Sequence, residues 1–463
     1  MTETQDITSP MTAFERRTTW SLASIYALRM LGLFMIMPVM SLYAGQLSGS
    51  TPTLIGLAIG IYGISQAILQ IPFGLVSDRV GRKKVIVFGL LLFCMGSIIA
   101  ALATTIEGVI IGRAVQGTGA IAGPIMALLA DLTQEVHRTK AMALIGASIG
   151  VSFGVAIASG PVLAGMIGFH GLFWLIAVLS LLAITVVIWV VPNPKQTKKH
   201  SDTELIPASF WQVLKDTELL RLNVGIFTLH TVLSASFVIV PLLMRDAGLM
   251  TAQHWQVYLP VFIGSFLAIV PLIIVAEKKR KMKPVFLLAI LILLAAEIGF
   301  MQFNNQLIAI IGFLWLFFCG FNLLEATLPS LVSKTAPGDK RGTAMGIYST
   351  SQFLGAGIGG SIGGWCFEHY GAAAVFLFCA VLVTVWFLFA ASMKPPRYWA
   401  NLLISLQPLM PEKLNNFTGE LLQIRGVEEL TLHSEEGVAY LKIDNAVLDK
   451  IRLQQVINAY SLH

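Results

Sequence analysis

The sequence predicts an all-α polytopic membrane protein of two six-helix halves, followed by a small C-terminal α+β domain of ferredoxin-like plan. Three observations carry this expectation. Of 463 residues, 56% are hydrophobic and only 12% charged, with mean hydropathy +0.77. A soluble globular chain carries about 25% charged residues, because even a large core needs a charged surface. Apolar stretches near the roughly 20 residues needed to cross a bilayer recur along the chain, separated by short charged loops. Helices satisfy their own backbone hydrogen bonds in lipid, so each stretch reads as a helical span. After Pro395-Pro396 the composition turns polar and alternating.

Residues 1–19 read as a cytoplasmic tail, since no apolar core with a small-residue cleavage pattern occurs there. Twelve spans follow, at 20–43, 52–76, 84–103, 107–130, 139–162, 167–191, 219–243, 253–276, 284–303, 306–331, 343–366 and 371–392. The first six form the half 20–191 and the last six the half 219–392. The linker 192–218, rich in charge and holding Pro192, Pro194 and Pro207, reads as the hinge between them. Basic residues crowd alternate loops: Arg16 and Arg17; Arg79, Arg82, Lys83 and Lys84; Arg138 and Lys140; Lys195, Lys198, Lys199 and Lys215. The pattern continues at Lys278, Lys279, Arg280, Lys281 and Lys283, then at Lys334, Lys340 and Arg341. The opposite loops carry only Arg245. The positive-inside rule then places both chain ends in the cytoplasm. The net charge of +6 is this topological bias, not a nucleic-acid footprint, which would need a basic face on a soluble domain.

The halves repeat. An offset of 203 aligns Asp131 to Gly154 with Lys334 to Gly357, matching Arg138 with Arg341, Met142 with Met345 and Gly154 with Gly357. Parallel six-helix repeats are the plan of one large transporter class.

Residues 398–463 read as strand, helix, strand, strand, helix. The strands are Asn401 to Gln407, Val427 to Ser434 and Val438 to Asp444, and the helices Pro411 to Ile424 and 446–461. That order is ferredoxin-like with its last strand shortened. It resembles small metal-binding domains of transport ATPases, but their CxxC pair is absent, so thiolate metal binding is unsupported. Cys94, Cys319, Cys366 and Cys379 all lie in apolar segments without ligand spacing, and the histidines form no ligand pair. No metal or cofactor is expected.

Three motifs carry a family resemblance. The loop after span 2 reads GLVSDRVGRKK, from Gly74 to Lys84. Span 4 reads GRAVQGTGAIAGP, from Gly112 to Pro124. Span 5 reads GASIGVSFGVAIASGPVLAG, from Gly146 to Gly165. Over residues 18–393 the chain resembles the major facilitator superfamily, in particular its twelve-span drug:proton antiporters. The loop is that superfamily's signature, and includes Gly74, Asp78, Arg79, Gly81 and Arg82. Physically, Gly74 permits close helix approach and Gly81 a tight turn. Asp131 sits at the unfavourable end of span 4's dipole, so it should seek a cation, of which Arg82 is the nearest in sequence logic. The resemblance implies that this pairing is a latch stabilising one conformational state. Gly146, Gly150 and Gly154 share a helix face, and Gly160-Pro161 should kink span 5. The Gly-Pro pair resembles the antiporter signature of span 5, although Ala164 stands where the fuller form has a second glycine.

Four charges fall inside the spans: Arg29, Arg113, Glu297 and Glu325. An intramembrane charge is a functional-site candidate by default. Glu325 is the first candidate for a titrating carboxylate, and its depth matches that of Arg29, its expected partner. Tyr26, Tyr62, Gln66, Gln70, Trp315, Asn322, Tyr348 and Gln352 are candidate cavity residues, each open to a packing role instead. The expected function is a proton-coupled secondary transporter exporting small or amphipathic compounds by alternating access, working with the bilayer, protons and a small-molecule substrate. A G-x-x-x-x-G-K-[ST] loop is absent, which argues against an ATP-hydrolysing pump, and the expected transporter is not an enzyme. The alternatives are a symporter or importer, and a membrane-embedded sensor or scaffold whose tail recruits a partner.

Overall fold

The computed structural model describes residues 11–193, 210–337, 340–394, 400–405, 411–433, 438–444 and 447–461. Most of the expected hinge, including Pro194, Pro207 and its lysines at 195, 198 and 199, lies outside the described residues, as does Glu435-Glu436-Gly437, the expected connection between the second and third strands of the tail.

Helix α1 (Ala13–Tyr43) starts earlier than expected. Its start is fixed by a capping box, in which the Thr12 side chain accepts from Glu15 N and the Glu15 carboxylate accepts from Thr12 N. Then come α2 (Pro52–Val80), α3 (Arg82–Leu102), α4 (Ile106–Thr118) and α5 (Ala122–Leu132). The single span expected at 107–130 is thus two helices, broken at Gly119 to Ile121.

Element α6 (Glu135–Thr185) comprises two helices that meet at a kink. Its backbone leaves helical geometry at Gly168 (φ 75°, ψ 172°), between the expected spans 5 and 6. Pro161 sits within the helix at helical dihedrals, and the break falls at Gly168, whose positive φ glycine adopts freely. Next are α7 (Phe210–Lys215), α8 (Thr217–Asp246), α9 (Trp255–Lys278), α10 (Met282–Gln302), α11 (Leu307–Thr335), α12 (Arg341–Tyr370) and α13 (Ala372–Ala391).

Among the described residues, ten helical segments are long and apolar enough to cross a membrane. The kinked α6 counts once among them, and α12 not at all, because its eight glycines and its Ser, Thr and Gln residues dilute its hydropathy.

Helix α12 explains the glycines. Two glycine stripes face different neighbours. A Cβ on Gly355 or Gly359 would lie 2.2 Å from Phe227 O or 2.1 Å from Thr231 O of α8. Toward α2, a Cβ on Gly60 would lie 2.2 Å from Gly357 O, and one on Gly56 2.3 Å from Gly360 O. Backbone therefore rests on backbone, the contact small residues permit in a membrane. These tight contacts run from Pro52 to Gly63 of α2. Further along, a Cβ on Gly74 would meet no atom within 4 Å, while one on Gly123 of α5 would lie 3.9 Å from Gly74 Cα, an ordinary contact and not a tight one.

A cluster of aromatic rings joins α1 and α6 to α9 and α11. Phe153 of α6 lies 4.7 Å from Phe34 of α1, 5.6 Å from Phe262 of α9, and 6.0 Å from both Phe318 and Phe321 of α11, centroid to centroid. Gly154 makes room for Phe262, whose ring would lie 2.2 Å from an added Cβ. Gly150 makes only ordinary contact with Phe266, and Gly146 meets nothing, so the expected glycine face of span 5 packs at Gly154 alone. Gly160 instead receives α1, with Met35 O 2.5 Å from its would-be Cβ.

The C-terminal elements are β1 (Ala400–Ser405), α14 (Pro411–Leu422), β2 (Val427–His433), β3 (Val438–Ile443) and α15 (Lys450–Ser461), in the expected order. The antiparallel sheet runs β1-β3-β2. Ile404, Phe417, Leu421, Ala439, Leu441, Leu453 and Val456 form a separate core. Arg280, in the loop before α10, donates to Asp444 at the end of β3 at 2.6 Å. It is the one non-glycine residue with positive φ (52°) among those described.

Candidate functional site

The intramembrane charges fall into two separate groups. In the first, Arg29 of α1 is 2% exposed, and its Nη2 donates to Tyr62 Oη (2.9 Å), Gln66 Oε1 (2.9 Å) and Gly119 O (2.8 Å). The carbonyl of Gly119 is free to accept because the helix breaks there. Irregular backbone at membrane depth is tolerated where a polar partner satisfies it.

Arg113 of α4 donates to Ala58 O (3.3 Å) and Gln116 Oε1 (2.9 Å), and lies 4.8 Å from the centre of the Tyr62 ring. Gln116 passes the chain on to Ser97 Oγ at 2.7 Å. Tyr62 thus serves both guanidinium groups, accepting from one through its hydroxyl and facing the other with its ring. Tyr26 is buried in the apolar cluster of α1, α3, α5 and α6.

The second group lies on α8, α11 and α12. His230 Nδ1 sits 3.3 Å from Ile226 O and His230 Nε2 2.8 Å from Gln352 Nε2. These partners assign the proton to Nδ1, which donates to the carbonyl, and leave Nε2 to accept from the amide. Gln352 Nε2 also donates to Glu325 Oε1 at 3.3 Å, and His230 Nε2 lies 3.9 Å from Glu325 Oε2. Glu325 Oε2 is buried and has no hydrogen-bond donor among the described residues, and the same holds for the buried hydroxyl of Tyr348. Phe321 flanks the imidazole at 5.8 Å.

The expected Arg29–Glu325 pair is not formed in this arrangement. Similar depth placed the two residues on one level, but their helix azimuths direct them to different polar groups. His230 was not expected at all. The signal was present as a run of hydroxyl, amide and imidazole side chains along α8: Asn223, Thr228, His230, Thr231, Ser234 and Ser236.

Glu297 of α10 is fully buried, and accepts from Ser236 Oγ at 3.1 Å. It forms no ion pair among the described residues. Asn322 donates to Ser265 Oγ at 2.9 Å, joining α11 to α9. Trp315 is 41% exposed and packs beside Gly264 of α9.

The loop motif forms a third site. Arg82, 2% exposed, donates through Nε to Asp131 Oδ2 at 2.7 Å and through Nη1 to Asp78. The pairing read from helix-end electrostatics is therefore present in the structure. Gly81 joins α2 to α3 at φ 107°, a turn that side chains resist. Arg79 is exposed. Lys83 donates to Val191 O at 2.8 Å, tying α3 to the segment that follows α6.

The model of the Major Facilitator Superfamily matches residues 22–356 and 313–411. The chain is 47% identical over 447 residues to the inner membrane transport protein YajR of Escherichia coli, covering 96% of this chain and 98% of that protein. It is 40% identical over 352 residues to an uncharacterized transporter of Buchnera aphidicola, covering 75% of this chain and 90% of that protein. Among solved structures, a bacterial homolog of the human lysosomal transporter Spinster, inward-facing and occupied, matches with TM-score 0.68 at 13% identity, over 82% of this chain and 97% of that one. At that identity the likeness speaks for the fold alone. The chain belongs to the major facilitator superfamily: it is a multi-pass inner-membrane secondary transporter, not an enzyme.

Proposed function

We propose that this protein is a proton-coupled antiporter that exports small or amphipathic compounds by alternating access. The observation that carries this reading is the His230–Gln352–Glu325 cluster. It holds a carboxylate oxygen in the membrane interior without a donor, beside an imidazole nitrogen that accepts rather than donates. A proton arriving on either group changes which bonds Gln352 makes, which links protonation to the α8–α11–α12 contacts. Arg29, Arg113 and Tyr62 balance it on the other side of the cavity, and Glu297 acts as a buried second carboxyl.

Twelve crossings are the topology we favour, counting α4 with α5 as one, α6 as two parted at Gly168, and α12 as one despite its glycines. The domains are then 1–19, the halves 20–191 and 219–392 about the linker 192–218, and 398–463. With the basic loops inside, both termini are cytoplasmic. The seam that closes at Pro52 and opens toward Gly74 then describes an inward-facing state. Sheet order β1-β3-β2 fits a ferredoxin-like tail that lacks its last strand.

The test is proton flux and substrate counterflow in proteoliposomes of the purified protein, across a panel of lipophilic compounds. Antiport predicts that outward substrate movement drives protons the opposite way. Co-directional movement would indicate a symporter, and no flux with any compound would favour a sensor or scaffold.

A further inference from the structure

We propose that Glu368 is a positioning residue of the transport cycle, its carboxylate latching the N-terminus of α2 so that the outer end of the α2–α12 seam stays shut. The inference rests on the orientation proposed above.

A helix begins with backbone N–H groups that have no partner within the helix. In α2, Pro52 has no N–H to satisfy. Leu54 N donates to Thr51 Oγ1 at 3.3 Å, and Ile55 N to Thr51 O at 2.9 Å. Thr53 N is left, and it donates to Glu368 Oε2 at 2.8 Å. The acceptor comes from the last turn of α12, 315 residues away, and brings a negative charge to the end of the helix dipole that favours one.

The bond depends on the seam being closed beneath it. A Cβ on Gly364, one turn before Glu368, would lie 2.5 Å from Pro52 O. Rocking α2 away from α12 at this end must break the bond, whereas a Cβ on Gly74, toward the other end of α2, would meet no atom within 4 Å. Glu368 itself is exposed, so the latch can be tested without disturbing the core.

The experiment reads accessibility from both faces. Ser41 of α1 is 6% exposed near this end, where its hydroxyl donates to Phe237 O of α8 at 3.3 Å. Ile71 lies on the stripe of α2 that continues the seam toward Gly74. Cysteines are placed singly at Ser41, Ile71 and the exposed Gly45, and reacted with a membrane-impermeant maleimide in spheroplasts and in inside-out vesicles. The native cysteines are all buried, and their background is subtracted.

Glu368→Gln, which keeps an acceptor and loses the charge, should raise outside labelling at Ser41→Cys about two- to five-fold. Glu368→Ala should raise it further, and in both variants labelling of Ile71→Cys from the inside should fall. Wild-type rates at both sites in Glu368→Ala, or in Glu368→Gln should the alanine variant fail to accumulate, would overturn the latch. A rise at both sites would mark general loosening and also overturn it. Labelling of Gly45→Cys only in inside-out vesicles would instead reject the orientation, independently of Glu368.

Discussion

Replacing Asp131 by Asn should cost more than replacing Asp78 by Asn, although both carboxylates bond the same arginine. The side chain of Asp131 is fully buried, that of Arg82 1% exposed and that of Asp78 31% exposed. A hydrogen bond to a charged group contributes about 1.5–3 kcal/mol where it is shielded from water. An exposed ion pair contributes roughly 0–1 kcal/mol. Arg82 keeps Asp78 in the Asp131 variant, so the larger penalty for a stranded buried charge, about 3–5 kcal/mol, is not reached. The expected loss is therefore about 2 kcal/mol for Asp131→Asn and below about 1 kcal/mol for Asp78→Asn. A 2 kcal/mol bias changes the ratio of two conformational states about 30-fold, enough to slow a balanced cycle while leaving insertion intact. The assay pairs thermal unfolding of purified protein with transport at matched membrane abundance. Equal losses in the two variants, or a larger loss for Asp78→Asn, would refute the burial reasoning. Wild-type transport in both would refute the latch.

Other substitutions probe the fold. Gly60→Ala places a methyl group 2.2 Å from Gly357 O, so the α2–α12 seam must part; a loss of about 1–3 kcal/mol in stability of the outer-closed state is expected, read as lower melting temperature and faster outside labelling. Gly81→Ala forces a side chain to φ 107°, and should destabilise the α2–α3 turn by about 1–2 kcal/mol in denaturation experiments. Truncation after Lys394 removes a domain with its own core, together with the Arg280–Asp444 ion pair. The shortened chain should insert with unchanged protease-protected fragments, and a misoriented body would place the domain boundary elsewhere.

The sequence made the helices legible because charge clusters mark their ends: the run from Asp78 to Lys84 bounds α2 and α3, and Lys278 to Lys283 bounds α9 and α10. The break at Gly119 was hidden in an otherwise apolar span, since its purpose is to offer a carbonyl to Arg29 from another helix. Asp131 could be matched to Arg82 because a carboxylate at a helix C-terminus creates a local demand for a cation. No such local demand reveals partners between the middles of spans. Depth follows from counting residues, but direction about the helix axis depends on packing, which is why Glu325 meets His230 and Gln352 rather than Arg29. The glycines of α12, dense between Gly355 and Gly364, mark a packed face in the sequence. That they serve α8 and α2 on alternate stripes depends on three helices at once.

The most direct measurement of the central claim compares two transport modes in proteoliposomes containing Glu325→Gln. Gln keeps the size of the side chain and the contact with Gln352, but cannot gain or lose a proton. Transport driven by a pH gradient should be abolished, while substrate exchange at equal pH on both sides continues near the wild-type rate. Gradient-driven transport at the wild-type rate in Glu325→Gln would contradict the assignment of proton coupling to this cluster.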